Sequence, residues 1–344
     1  MLKRLFLLAL VLVLLTAGAA GFAFLQVNRY LATPIEGGER TVIIARGSSL
    51  KSALDQLAAQ AALPKPRWLY LYARAVKQTE LRAGEYELSG TQTPLDVLTM
   101  LREGRVKTES FTLAEGLNRW QVRAALAETR WVSRADFDRL CEDAAFLKKH
   151  DVPGPSCEGY LFPETYTFAR GVPPEQVMAE LFATYRKNFN AAAAKGRGPL
   201  QLDDRQLTTL ASIVEKETGA PEERPRIACV FYNRMQAKPA WKLETDPTVI
   251  YAATLADPDF DGNIKRSHLR ELDHPYNTYK RHGLPPGPIA SPGRAAFEAV
   301  VTPESCKDFF FVSMNDGRHV FCPTYDCHLE NVEKWQVRYF KKAR

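Results

Sequence analysis

After Lys3 and Arg4 the chain runs "LFLLALVLVLLTAGAAGFAFLQVN", and the next charge is Arg29. An apolar run of this length, rising ~1.5 Å per residue, crosses a bilayer as a single helix. A cleaved signal peptide has a shorter apolar core. "TAGAAGFA" offers the small residues of a cleavage site, but apolar residues continue beyond it through Phe24 and Val27. An uncleaved anchor over residues 5–25 is therefore expected. The positive flank keeps residues 1–4 in the cytoplasm as a short tip. Everything beyond Arg29 then works outside the inner membrane, after a polar connector over residues 26–40.

The 344 residues leave room for two domains beyond the anchor, and 45% hydrophobic with 25% charged residues is an ordinary globular balance. A net charge of +6 does not choose among DNA, anionic lipid and an anionic polymer. No Lys/Arg run with interleaved aromatics occurs, so no nucleic-acid partner is expected. Six cysteines suit an oxidising compartment. Cys141 with Cys157 closes a short loop containing Pro153, Gly154 and Pro155, and is the pairing best supported. Cys229, in the apolar stretch "RIACVFYNRM", reads most simply as a buried thiol. Zinc would want paired short spacings, which "CPTYDCH" and its surroundings lack, so neither metal nor cofactor is expected.

Residues 41–106 form a first module. "TVIIARGSSLKSALDQLAAQ" gives a strand, a Gly47 turn and a helix capped by Ser48 or Ser49. "PRWLYLYARAV" gives a second helix, a strand follows around Tyr86, and a third helix starts at Thr93–Pro94, a position proline favours. Nothing in this module looks catalytic. Residues 107–344 make up the remainder. "ESFTLAEGLNRWQVRAALAE" repeats strand, glycine turn and helix; residues 135–160 look loop-rich. "EGYLFPETYTF" then brings carboxylates, Glu158 among them, together with aromatics. A long amphipathic helix covers residues 174–194. The expected class is α+β.

The chemistry is expected in "ASIVEKETG". Asp203 and Gln206 make a capping-box start, and Leu207, Leu210, Ala211 and Val214 follow helical spacing. At roughly 100° per residue, Glu217 falls about 50° from the centre of that stripe and Glu215 about 110° from it. Glu217 is thus expected on the packed side and Glu215 near the rim. A partly desolvated carboxyl has its pKa raised, as a general acid at neutral pH requires. The structural alternative is a helix-end glutamate paired with a nearby arginine. Downstream, "LETDPTVIYAA" places Asp246 before a proline, and "HPYNTYKRHGLPPGPIASPG" strings Asn277, Thr278 and Tyr279 before a Gly/Pro-dense loop. Such loops shape clefts. Tyrosines and amides suit a sugar chain, whose faces stack on rings and whose hydroxyls need partners. The bland readings are an Asx-turn at Asn277 and a helix N-cap at Asp246.

Those motifs, in that order together with "RIACVFYNRM" and "EGYLFPETYTF", resemble the YceG-like family of membrane-anchored endolytic murein transglycosylases. The resemblance implies an N-terminal transmembrane helix, a small LysM-like, peptidoglycan-binding module and a mixed α/β catalytic region over residues 107–344. It implies Glu217 as the catalytic acid; beside it the residues themselves suggest Asn277, Tyr279, Asp246, Glu158 and Thr218 on the substrate side, the Thr218 hydroxyl orienting the carboxyl. The substrate implied is the peptidoglycan glycan strand, cut beside peptidoglycan synthases at the periplasmic face of the bacterial inner membrane. Two other readings stand beside it. One is a hydrolytic muramidase using Glu217 with Asp246 or Glu158; the other is a non-catalytic wall-binding scaffold.

Overall fold

The computed structural model describes residues 2–60 and 62–338, which fall into two units: Met1–Glu109 with Thr167–Gly171, and Ser110–Tyr166 with Val172–Arg344. The first unit begins with α1 (Leu2–Ala32). Within it Phe6–Ala32 is, among the described residues, the one helical stretch long and apolar enough to span a membrane, with a mean hydropathy of 2.5 in its best window. Its side chains from Phe6 to Leu25 stand exposed. The helix does not stop where a connector was expected. Val27, Tyr30 and Leu31 recur at i, i+3 and i+4, so the last turns have an apolar stripe of their own. That stripe packs into the first unit's core along with Ile35. Most of residues 26–40 is thus part of that unit rather than a free linker.

The first unit continues with β1 (Arg40–Ile44), α2 (Leu50–Ala59), α3 (Pro66–Ala75), β2 (Gly84–Leu88) and α4 (Pro94–Glu103). β1 and β2 pair antiparallel, from Arg40 opposite Leu88 to Ile44 opposite Gly84. Ser49 caps α2 through the Ser52 N–H, and Thr93 with Asp96 closes a capping box on α4. Val42, Ile44, Leu54, Leu57, Leu69, Tyr86 and Leu98 fill the core between ribbon and helices.

β3 (Thr108–Thr112) opens the way to α5 (Arg119–Ala127), α6 (Arg134–Glu142) and α7 (Ala144–Lys149). The last two occupy the stretch expected to be loop-rich. Ser133 and Asp143 cap them, and short capped helices of this kind leave little periodicity to read. β4 (Thr165–Ala169) pairs with β3. Then come α8 (Pro174–Ala193), α9 (Asp204–Glu217), a 3₁₀ turn at Pro221–Glu223, α10 (Arg224–Gln236), α11 (Asp246–Ala256), α12 (Arg266–Glu271) and α13 (Arg294–Val301). A hairpin of β5 (Phe310–Ser313) and β6 (His319–Cys322) precedes α14 (Tyr325–Val332).

The second unit's core is helical. α9, α10 and α8 all pack on α13, and α9 packs on α10. Tyr185 and Phe189 of α8 stack 5.6 Å apart, and Phe297 of α13 meets both edge-on. Two of its buried tyrosines hold their hydroxyls in hydrogen bonds here: Tyr185 pairs with Thr208 at 2.7 Å, and Tyr232 donates to the Val300 carbonyl at 2.9 Å. Disulfides join Cys141 to Cys157, Cys229 to Cys306 and Cys322 to Cys327. Cys229 is therefore not a free thiol: α10 brings it against the segment before β5, a contact spanning 77 residues that local spacing cannot reveal.

Candidate active site

α9 begins with the expected capping box, Asp203 accepting from the Gln206 N–H while Gln206 accepts from Asp203. It then departs from a one-sided stripe. All nine residues from Leu207 to Glu215 are buried, because α10, α11 and α13 pack on this part of the helix and Tyr185 of α8 reaches Thr208. Glu215, expected near the rim, is one of them. Its side chain is 4% exposed and meets the Arg224 guanidinium, itself 6% exposed, at 2.5 Å. The Gly293 N–H donates to its second oxygen at 2.9 Å. Burial raises the Glu215 pKa, and the Gly293 N–H and Arg224 cation oppose that rise. The arginine-paired glutamate is thus Glu215. Lys216 points outward and donates to the Gly116 carbonyl at 3.1 Å.

Glu217 is the last residue of α9 and half-buried. No cation lies within ion-pair distance of it among the described residues. Among the described residues its one side-chain hydrogen-bond partner is the Thr245 hydroxyl, which donates to Oε1. Burial pushes the carboxyl up to about 7; the Thr245 hydrogen bond and the more distant Arg234 pull it down, and the Asp246 charge pushes it further up. Arg234 on α10 is buried and engaged elsewhere, donating to the carbonyls of Phe309, at 2.8 Å, and Leu243. It supplies a background field without neutralising the acid.

Thr245 is the N-cap of α11, with Asp246 at the first helical position and Pro247 next, an arrangement proline favours. Its place is fixed from the turn that carries Thr278. The Thr245 N–H donates to the Thr278 hydroxyl at 3.1 Å, and Thr278 pairs with the Thr248 hydroxyl at 2.8 Å, all three threonines being almost fully buried. The Tyr279 hydroxyl donates to Asp246 at 2.6 Å. Burial raises the Tyr279 pKa, and the hydrogen bond to Asp246 and the nearby Glu217 charge raise it further. Glu217, Thr245, Asp246 and Tyr279 therefore share one electrostatic neighbourhood. Thr245 and Arg234 were not singled out from sequence; Thr before Asp-Pro is an N-cap signature that could have found the first.

The other expected site residues lie differently. Asn277 is fully buried, and its amide N–H groups reach the carbonyls of His268, Leu269 and Leu272 while its oxygen accepts from the Tyr279 N–H. That is the Asx-turn, and through it Asn277 ties α12 to the loop that presents Thr278 and Tyr279. Thr218 does not orient Glu217. Its hydroxyl accepts from the Ala220 N–H at 2.9 Å and faces Glu223 at 3.4 Å, because the backbone turns away at the helix end. Among the described residues Glu158 has no hydrogen bond to this cluster. It caps α5, accepting the Arg119 N–H at 3.0 Å and the Tyr251 hydroxyl at 3.0 Å, and burial pushes it up to about 7. Gly159 beside it has φ +82°, and a Cβ there would come within 2.3 Å of Pro288, so only glycine fits.

The C-terminus of α9 and the N-terminus of α11 thus meet at a polar cluster of Glu217, Thr245, Asp246 and Tyr279. The chain belongs to the YceG-like family, whose model matches residues 42–334. It is 29% identical over 339 residues to the endolytic murein transglycosylase of Bacillus subtilis, covering 92% of this chain and 90% of that one. It is 28% identical to the endolytic murein transglycosylase of Streptococcus pneumoniae, covering 93% of this chain and 63% of that longer one. The crystal structure of a yceG-like protein of Listeria monocytogenes matches with a TM-score of 0.55 at 29% identity, over 86% of this chain and all of that one.

Proposed function

We propose that this chain is a membrane-anchored endolytic peptidoglycan lytic transglycosylase with Glu217 as its acid/base. The observation that carries the assignment is the contrast between the two glutamates of "EKET". Glu215 has a dedicated arginine, whereas Glu217 has only a hydroxyl donor and a pKa near 7. A carboxyl of that kind holds a proton at neutral pH and can release it to a leaving oxygen. In the reaction it protonates the glycosidic oxygen leaving N-acetylmuramic acid. The resulting carboxylate then takes the proton of the same sugar's C6 hydroxyl, whose oxygen attacks C1 and closes a 1,6-anhydro ring. The internal nucleophile removes the need for a second catalytic carboxylate. Thr245 holds the Glu217 carboxyl, and Tyr279 with Asp246 faces the sugar.

The rest of the chain fits that reading. The apolar helix α1 serves as a single-pass anchor, with the tip before it cytoplasmic and everything beyond in the periplasm. The first unit serves as a LysM-like glycan-binding module; its strand–helix–helix–strand order supports this. Synthesis of new strands at the same membrane face makes peptidoglycan synthases the natural neighbours. Mass spectrometry of products from the detergent-solubilised full chain acting on uncrosslinked glycan strands tests the core claim. Anhydro-muramic ends are expected. Reducing ends would instead make the protein a hydrolase with Asp246 as second carboxylate, and no cleavage would leave a wall-binding scaffold.

A further inference from the structure

The far end of α9 carries a second polar cluster that the proposed catalytic chemistry does not use. Arg205 stands there, and its guanidinium borders two open recesses of about 630 and 530 Å³. The first is walled by residues 151–155, the second by Gly283–Pro286 of the Gly/Pro-dense loop. Arg205 Nε is buried with no hydrogen-bond partner, and the guanidinium has no ion pair among the described residues. Its neighbours Arg186 and Arg197 both pair with Asp204. Tyr160 is 1% exposed, and its hydroxyl likewise has no partner. It lies close enough to Arg205 for the guanidinium to pull its pKa down against burial. Tyr276 brings a third donor, since a Cβ built at Gly287 would stand 3.1 Å from its hydroxyl and 3.5 Å from an Arg205 nitrogen.

Buried polar atoms are almost always hydrogen-bonded, so two orphans by one recess, Tyr160 packing 3.2 Å from a Cβ built at its wall residue Gly154, call for a missing partner. A guanidinium and phenols that lack acceptors select an anion, and the fork of Arg suits a carboxylate. Lys148 on the wall of the larger recess adds positive charge, and Asp151 is the one acidic residue lining it. Position narrows the source. Arg205 and Glu217 lie about 18 Å apart along the helix axis at ~1.5 Å per residue. The lactyl carbon of the sugar being cut cannot reach that far. A stem peptide of four or five residues, extending ~3.3–3.6 Å each, spans roughly 13–18 Å.

Resting on the transglycosylase reading, we propose that Arg205, with the Tyr160 and Tyr276 hydroxyls, forms a subsite for a carboxylate of the peptidoglycan stem peptide. The enzyme then prefers strands that still bear their peptides. The test compares glycan strands carrying stem peptides with the same strands stripped by an amidase, using the full chain in detergent. Arg205→Ala should raise KM for peptide-bearing strands about ten- to a hundredfold, the range for losing a charged hydrogen bond, and leave the stripped strands unchanged. Arg205→Lys should recover part of the loss. Tyr160→Phe, which removes one oxygen, should weaken the same substrate severalfold. An equal KM change on both substrates would reduce Arg205 to a structural role and overturn the proposal. A loss confined to stripped strands would overturn it too, by assigning the subsite to the freed lactyl carboxylate. If wild type makes no anhydro product from either substrate, the transglycosylase reading fails by itself, and binding of a synthetic stem pentapeptide then decides. Binding lost in Arg205→Ala upholds the subsite; binding that is absent or indifferent to Arg205 sinks it.

Discussion

Replacing Glu217 by Gln should make the protein inactive and more stable, and the gain should depend on pH. Burial raises the Glu217 pKa from 4.5 to about 7. The folded chain therefore binds a proton that the unfolded chain has released across that window. The sign follows: stability linked to this group is complete below about pH 4.5 and declines as pH rises, with the loss finished above about pH 7. At ~1.4 kcal/mol per pH unit the full loss approaches about 3 kcal/mol, and the partial exposure of Glu217 trims it to about 2. Gln has nothing to ionise and still offers an oxygen to Thr245. Urea unfolding of both proteins at about pH 5 and pH 8.5 measures the effect, with disulfides intact. Any mismatch from the new amide hydrogens is common to both pH values, so the change between them isolates the carboxyl. The advantage of Glu217→Gln should grow by about 2 kcal/mol at the higher pH, while anhydro-product formation falls a hundred- to ten-thousandfold. A pH-independent difference would refute the desolvated carboxyl, and retained product formation would refute the acid.

Thr245→Val removes a hydrogen bond that lowers the Glu217 pKa, so the alkaline limb of the kcat/KM profile should move to higher pH. Asp246→Asn removes a repelling charge and should move the same limb to lower pH; shifts in one common direction would contradict the electrostatics of the site. Glu215→Gln leaves Arg224 buried with only Glu115 at 3.7 Å, so calorimetry should find a loss of about 3 kcal/mol while turnover per folded molecule is retained. Asn277→Ala should likewise lower stability, with three carbonyls losing their donor, and a changed KM without any fall in melting temperature would restore it as a ligand.

What could be read in the sequence was local. The capping box on α9, the proline start of α4 and the Cys141–Cys157 loop each involve residues within a few turns of one another. The misreadings share a different cause. Helical spacing assigned Glu215 to the rim because one stripe was assumed, whereas α9 is packed from several sides. The hydrogen bond that holds Glu217 comes from 28 residues away, and the Cys306 partner of Cys229 from 77. For Asn277 both a substrate-side role and an Asx-turn were open, and no pattern in "YNTYK" reveals that its hydrogen bonds point inward.

The burial of α9 bears on how the two ends of the helix work together. From Leu207 to Glu215 every residue of the helix is buried. Thr208 pairs with Tyr185 of α8, Ser212 accepts the Ile289 N–H at 3.1 Å, and Glu215 receives Gly293 and Arg224. A helix so held moves as one body, since its hydrogen-bonded turns and close-packed surroundings resist local shifts. Two of those three contacts come from the loop and helix start that follow "GLPPG", a segment that also walls one recess at Arg205. The spacing from the acid to the unpaired arginine is consequently a fixed length and not an adjustable one. An enzyme cutting within a strand has no chain end to count from, and a rigid span of this kind lets it choose a bond by the substituent bound at a set distance from it.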